Sequence, residues 1–160
     1  MNDVDYIKST CEKWNIIEYV INDDLTIDVF TDVALDNYKR NPELCLYEIP
    51  LNFRYVYGDF DCSYQKITSL KGSPIACRSF SCVENRLTSL EHSPQYVKYN
   101  YWCDDNRDLT SLNGITSGIS SKHLSLPHQR FKFNNHKALT YEDYVKHQRV
   151  VKLESLGISK

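Results

Sequence analysis

Phe60-Asp-Cys-Ser-Tyr-Gln-Lys-Ile-Thr-Ser-Leu70 superposes on Phe80-Ser-Cys-Val-Glu-Asn-Arg-Leu-Thr-Ser-Leu90 at a constant offset of 20 residues. Phe60 falls on Phe80, Cys62 on Cys82, Gln65 on Asn85, Ile67 on Leu87, Leu70 on Leu90 and, further on, Pro74 on Pro94. A third copy follows, with Tyr101, Cys103 and Asn106 lying 21 residues after Phe80, Cys82 and Asn85. Leu109-Thr-Ser-Leu112 lies 22 residues after Leu87-Thr-Ser-Leu90, so Asp108 reads as a one-residue insertion. A fixed period of this length marks a repeat architecture, in which one unit cannot bury its own apolar face and stacking supplies the core.

Each copy runs apolar-x-Cys-x-x-Asn/Gln-x-Leu, the order of the leucine-rich repeat at the short end of its range. Alternating apolar positions predict a short strand with one buried face. The Asn or Gln is expected to turn inward and satisfy backbone groups where the chain leaves the strand. Pro74 and Pro94 predict extended, polyproline-like returns rather than helices. The expected fold is α/β: a leucine-rich-repeat solenoid fragment with helical caps at both ends.

The segments GDFDCSYQKITSLKGSP (58–74) and FSCVENRLTSLEHSP (80–94) resemble repeats in small proteins of T-even-like tailed bacteriophages. Their ITSLKGSP and LTSLEHSP portions are also similar to the short repeats of leucine-rich-repeat effectors from pathogenic bacteria. The match covers residues 46–115 and departs from the pattern at Gln65 and at the inserted Asp108. It implies a small phage-encoded, host-directed protein that binds and inhibits or redirects a host or defence protein.

A single domain is expected over 1–160, with a cap over 1–45, repeats over 46–115 and a second cap over 116–160. Val4, Ile7, Cys11 and Trp14 share one helical face, with Asn2 or Asp3 as the cap. Ile16–Ile21 and Leu25–Val29, separated by Asn22-Asp23-Asp24, read as a hairpin entering the sheet. Leu46, Ile49, Pro50, Phe53 and Val56 read as a degenerate repeat. Phe131-Lys-Phe133 is the candidate last strand, and Thr140 opens a helix that runs to about Leu156 and stops at Gly157.

Composition restricts the function classes. A hydrophobic fraction of 41% and a charged fraction of 25% exclude global disorder. No apolar run is long enough to span a bilayer, and the opening MNDVDYIKSTCEKW lacks a basic leader followed by an apolar stretch. A cytoplasmic protein with reduced thiols is expected. The net charge of −2 argues against an all-over nucleic-acid binder. Residues 122–160 nevertheless carry eight Lys or Arg against three Asp or Glu, whereas the first 121 carry eleven against eighteen.

The chemistry-bearing residues favour a binding role over catalysis. Cys62, Cys82 and Cys103 are expected to stack inward about 5 Å apart, as core packing rather than as a metal site. Cys103-Asp104-Asp105 matches the Cys-x-Asp signature of the ubiquitin-ligase domain in some bacterial repeat effectors, but that domain is large and separate, and here the cysteine is a repeat core position. His123, His128 and His136 lack metal-ligand spacing. No cofactor is expected and no enzyme.

The outward side of the repeat strands is the candidate surface. By alternation it carries Asp59, Asp61, Ser63 and Tyr64 in the first copy, Ser79, Ser81, Val83 and Glu84 in the second, and Asn100, Trp102, Asp104 and Asp105 in the third. That set holds five carboxylates, no Lys or Arg, and an outward Trp, so a host protein with a basic surface is the expected partner. The partner-binding residues are taken as Asp59, Asp61, Tyr64, Glu84, Trp102, Asp104 and Asp105. The alternatives are a regulator of host transcription that contacts RNA polymerase with the acidic face and places Lys146, Arg149 and Lys152 of the basic C-terminal helix on DNA, and a virion structural adaptor.

Overall fold

In the computed structural model, residues 3–35 and 45–115 are described in full, together with the backbone of four two-residue strands between 118 and 138. The 20-residue offset is the register of a parallel sheet. Phe60 pairs with Phe80 and Phe80 with Tyr101, on strands β5 (Phe60–Asp61), β7 (Phe80–Ser81) and β9 (Tyr101–Trp102). β3 (Val33–Ala34) precedes them and β11 (Leu124–Ser125) follows, giving the order β11-β9-β7-β5-β3.

The return segments differ from the expected polyproline-like path. Each carries a strand, β4 (Phe53–Val56), β6 (Ala76–Cys77) and β8 (Tyr96–Val97), and these build a second parallel sheet. It continues to β2 (Ile27–Val29) and β10 (Gly118–Ile119), with β1 (Tyr19–Ile21) antiparallel at its edge. The prolines end just before the strands begin, so they remove no ladder donor; the Ile75 amide after Pro74 donates to Arg54 O at 2.8 Å. The architecture is mixed α/β with parallel strands and one helix among the described residues.

Repetition extends further toward the N-terminus than the sequence suggested. Val33 pairs with Phe60, and Leu35 donates to Asp61 O as Cys62 donates to Ser81 O. Residues 27–35 therefore form an earlier unit, and the 18 Cα positions from Leu35 to Phe53 are longer than in later copies. The expected hairpin is present, with Tyr19 opposite Val29 and Ile21 opposite Ile27, and its second strand opens the parallel sheet.

Between the two sheets lies the core. Phe53, Phe60, Phe80 and Tyr101 form a file of rings with centroids 5.0–5.6 Å apart. The Tyr101 hydroxyl shares a 2.7 Å hydrogen bond with Ser93, which satisfies the one polar atom in the file. Cys62, Cys82 and Cys103 are fully buried in the same core, as expected from their repeat position. Burying each Phe or Leu stabilises the fold by on the order of 2 kcal/mol.

The amide ladder welds successive units. Asn85 Nδ2 donates to Cys62 O and Cys82 O at 2.9 and 3.1 Å, and its Oδ1 accepts from the Ile67 amide at 3.1 Å. Asn106 repeats this with Cys82 O, Cys103 O and the Leu87 amide. Gln65, despite its longer side chain, donates to Leu35 O and accepts from the Leu46 amide. That last bond places Leu46 where Ile67 and Leu87 stand, so the degenerate repeat at 46–56 is in register.

Each unit turns again after its second leucine. Ser73, Ser93 and Ile115 donate to Leu70 O, Leu90 O and Leu112 O at 2.9–3.1 Å. The third turn residues, Gly72, His92 and Gly114, have φ of 97°, 66° and 101°, the left-handed position a type II turn demands. At Gly114 a Cβ would collide with the Leu90 carbonyl.

Helix α1 (Asp3–Lys13) buries Ile7 and Cys11, and Trp14 just beyond it, against the core. Val4, expected on the same stripe, is exposed, and Thr10 is buried instead. Beyond the repeats, β12 (Lys132–Phe133) covers two of the three residues of the expected last strand, but it is not the last: it pairs antiparallel with β13 (Lys137–Ala138), which follows it. The expected helix from 141 lies outside the described residues.

Candidate partner-binding surface

Asp61, Ser81 and Trp102 stand side by side on β5, β7 and β9 at the strand position that alternates with the buried rings. Trp102 keeps 38% of its surface in contact with solvent, a large apolar group presented outward by register. Asp61 is half-buried and accepts the Ser63 amide at 2.9 Å, which fixes its carboxylate at the rim of the row.

A second row lies where the chain leaves the strands. Tyr64, Glu84 and Asp105 occupy equivalent places with φ of 58°, 52° and 57°. A left-handed residue at each turn swings the next side chain, Gln65, Asn85 or Asn106, into the core while its own side chain stays exposed. Strain of this kind costs roughly 1 kcal/mol per residue and is held by the amide ladder.

Two of the expected surface residues are corrected. Ser63 and Ser79 are 1% and 6% exposed. The strands are only two residues long, so alternation ends before Ser63. Its hydroxyl shares a 2.6 Å hydrogen bond with Ser81 and accepts the Val83 amide at 3.1 Å. Val83, Asn100 and Asp104 are half-buried. Asp59 is also not a free acidic group. Arg78 clamps it with Nε and Nη2, both at 2.8 Å, and reaches Asp32 at 3.3 Å. The Arg78 hydrogen bonds hold the Asp59 carboxyl below its usual range. Lys146, Arg149 and Lys152 lie outside the described residues.

Sequence reasoning overlooked a row of cations. Lys66, Arg86 and Arg107 directly follow the ladder amides, and the same 20- and 21-residue offsets could have revealed them. With Tyr64, Glu84, Asp105 and Asp108 they line a groove of about 650 Å³ along the edge of the acidic rows. The surface is therefore an acidic, aromatic-bearing face bordered by a basic edge.

The thiols have the wrong electrostatics for nucleophiles. Burial pushes Cys62, Cys82 and Cys103 well up and Cys77 up to about 12. The buried, protonated Cys103 is unlike the exposed thiolate that a Cys-x-Asp ligase needs. Among the described residues no group of three or more His, Cys, Asp or Glu is arranged to hold a metal. No described helix is long and apolar enough to cross a membrane. The three candidate histidines lie outside the described residues.

Compared with protein-family models, curated proteins and solved structures, the chain matches none. The surface must be interpreted from its own chemistry.

Proposed function

We propose that this chain is a short leucine-rich-repeat solenoid that acts without catalysis, by binding the basic surface of another protein through the β5-β7-β9 face. The observation that carries this reading is Trp102, an outward indole in one row with Ser81 and Asp61, next to the row Tyr64, Glu84 and Asp105. Trp and Tyr supply large contact area at little entropic cost, and surrounding carboxylates select and steer a cationic partner. The parallel register and the amide ladder support the solenoid. The resemblance of its repeats to those of phage proteins supports a role in the host cytoplasm, against a host or defence protein.

The test is affinity capture from bacterial lysate with wild type, Trp102→Ala and a Glu84→Lys, Asp105→Lys double variant. The reading expects one partner to be recovered in low salt, weakened by both variants. Recovery that is unchanged by Trp102→Ala rejects it.

A further inference from the structure

The second sheet presents a different outward face, and it is complementary to itself. One row across β2, β4, β6 and β8 reads Asp28, Tyr55, Ala76, Tyr96 in Cα register; Asp28 is buried and paired with Arg54, and Tyr55 and Tyr96 are exposed. Ala76 is a notch between the rings of Tyr55 and Tyr96, in a groove of about 470 Å³ that Tyr57, Arg78 and Lys98 also line. The residues that follow these strands form a second row, Phe30, Tyr57, Arg78, Lys98: two aromatics, then two cations. Phe30 and Tyr57 are stacked at 5.2 Å and about half exposed.

We propose that this face pairs with the same face of a second copy, about a twofold axis passing between β4 and β6. A twofold exchanges the two halves of each row, so residue i meets residue j and j meets i. Tyr55 of each copy then fills the Ala76 notch of the other. Tyr57 meets Arg78, and Phe30 meets Lys98, so each aromatic receives a cation. Arg78 is prepared for this contact because Asp59 and Asp32 fix its guanidinium plane and balance its charge. Arg54 is likewise neutralised by Asp28, so no concentrated charge opposes closure. A polyanion such as single-stranded nucleic acid is the weaker occupant, since two of the three cations at this face are already paired with carboxylates. The pairing leaves both Trp102 faces outward, making a bivalent binder.

The test is sedimentation equilibrium of the full chain with a row swap. Wild type is expected to be dimeric at tens of micromolar, and Ala76→Arg to raise the dissociation constant at least tenfold with unchanged circular dichroism. Phe30→Lys alone places lysines opposite one another and weakens the dimer tenfold, whereas Lys98→Phe alone places aromatics opposite one another and does not weaken it. The double swap restores it, because the row is again self-complementary. A monomeric wild type overturns the proposal, whether or not it retains a labelled oligothymidylate. A dimer indifferent to Ala76→Arg overturns it too, as does failure of the double swap to restore dimerisation when both swapped chains are folded.

Discussion

The two sheets share a core and differ on their outer faces. Inward, successive copies carry nearly the same groups: Phe60, Phe80 and Tyr101 in one sheet, Val56, Cys77 and Val97 in the other. Outward, one sheet offers Asp61, Ser81 and Trp102 and the other Tyr55, Ala76 and Tyr96. The inward rows are fixed by stacking, because every unit must present a shape its neighbour can cover. The outward rows are free of that demand, so what differs among copies there is where recognition can reside.

The largest effect expected from this division falls on the inward rows. Phe80→Ala breaks the ring file on both sides and should cost about 3–5 kcal/mol, seen as a lower urea midpoint. A loss below about 1 kcal/mol would mean that the rings are not the core. Alkaline pH probes the same rows without mutation. Buried Cys62, Cys77, Cys82, Cys103 and Tyr101 stay protonated when folded, because burial raises their pKa values. Their full contribution is present below the unfolded thiol range and declines as pH rises through it. Stability should fall by roughly 3 kcal/mol between pH 7 and pH 9, whereas a flat profile would place the thiols in water.

Asn85→Ala strands the Cys62 carbonyl and the Ile67 amide and should cost about 2–3 kcal/mol, more than any exposed substitution on either face. His92→Gly tests the turn in the opposite direction. His92 holds the left-handed position that Gly72 and Gly114 hold in neighbouring units, and relieving it should stabilise by about 0.5–1 kcal/mol. Smallest of all, Trp102→Ala and Tyr96→Ala should each shift stability by less than about 1 kcal/mol, since neither ring is buried. A larger loss at either would move that residue from recognition to packing.

The first sheet was legible in the sequence because one 20-residue offset aligned a bulky aromatic, a cysteine and an amide at once. The second sheet was not, because its positions 55, 76 and 96 are Tyr, Ala and Tyr, a row with no common apolar residue. The unit at Val33-x-Leu35 was hidden by the long connection before Phe53, which breaks the period. At the candidate surface, Trp102 was legible because it is outward in a strand of known register. Ser63 and Ser79 were misassigned because alternation was carried past two-residue strands, and Arg78 was missed as the partner of Asp59 because the two residues belong to successive units.

The most direct test of the division between the faces is parallel capture from bacterial lysate with Trp102→Ala and Tyr96→Ala. The account predicts that the partner is lost with Trp102→Ala and retained with Tyr96→Ala. Retention with Trp102→Ala would contradict it, and loss at Tyr96→Ala alongside would move recognition to the second sheet.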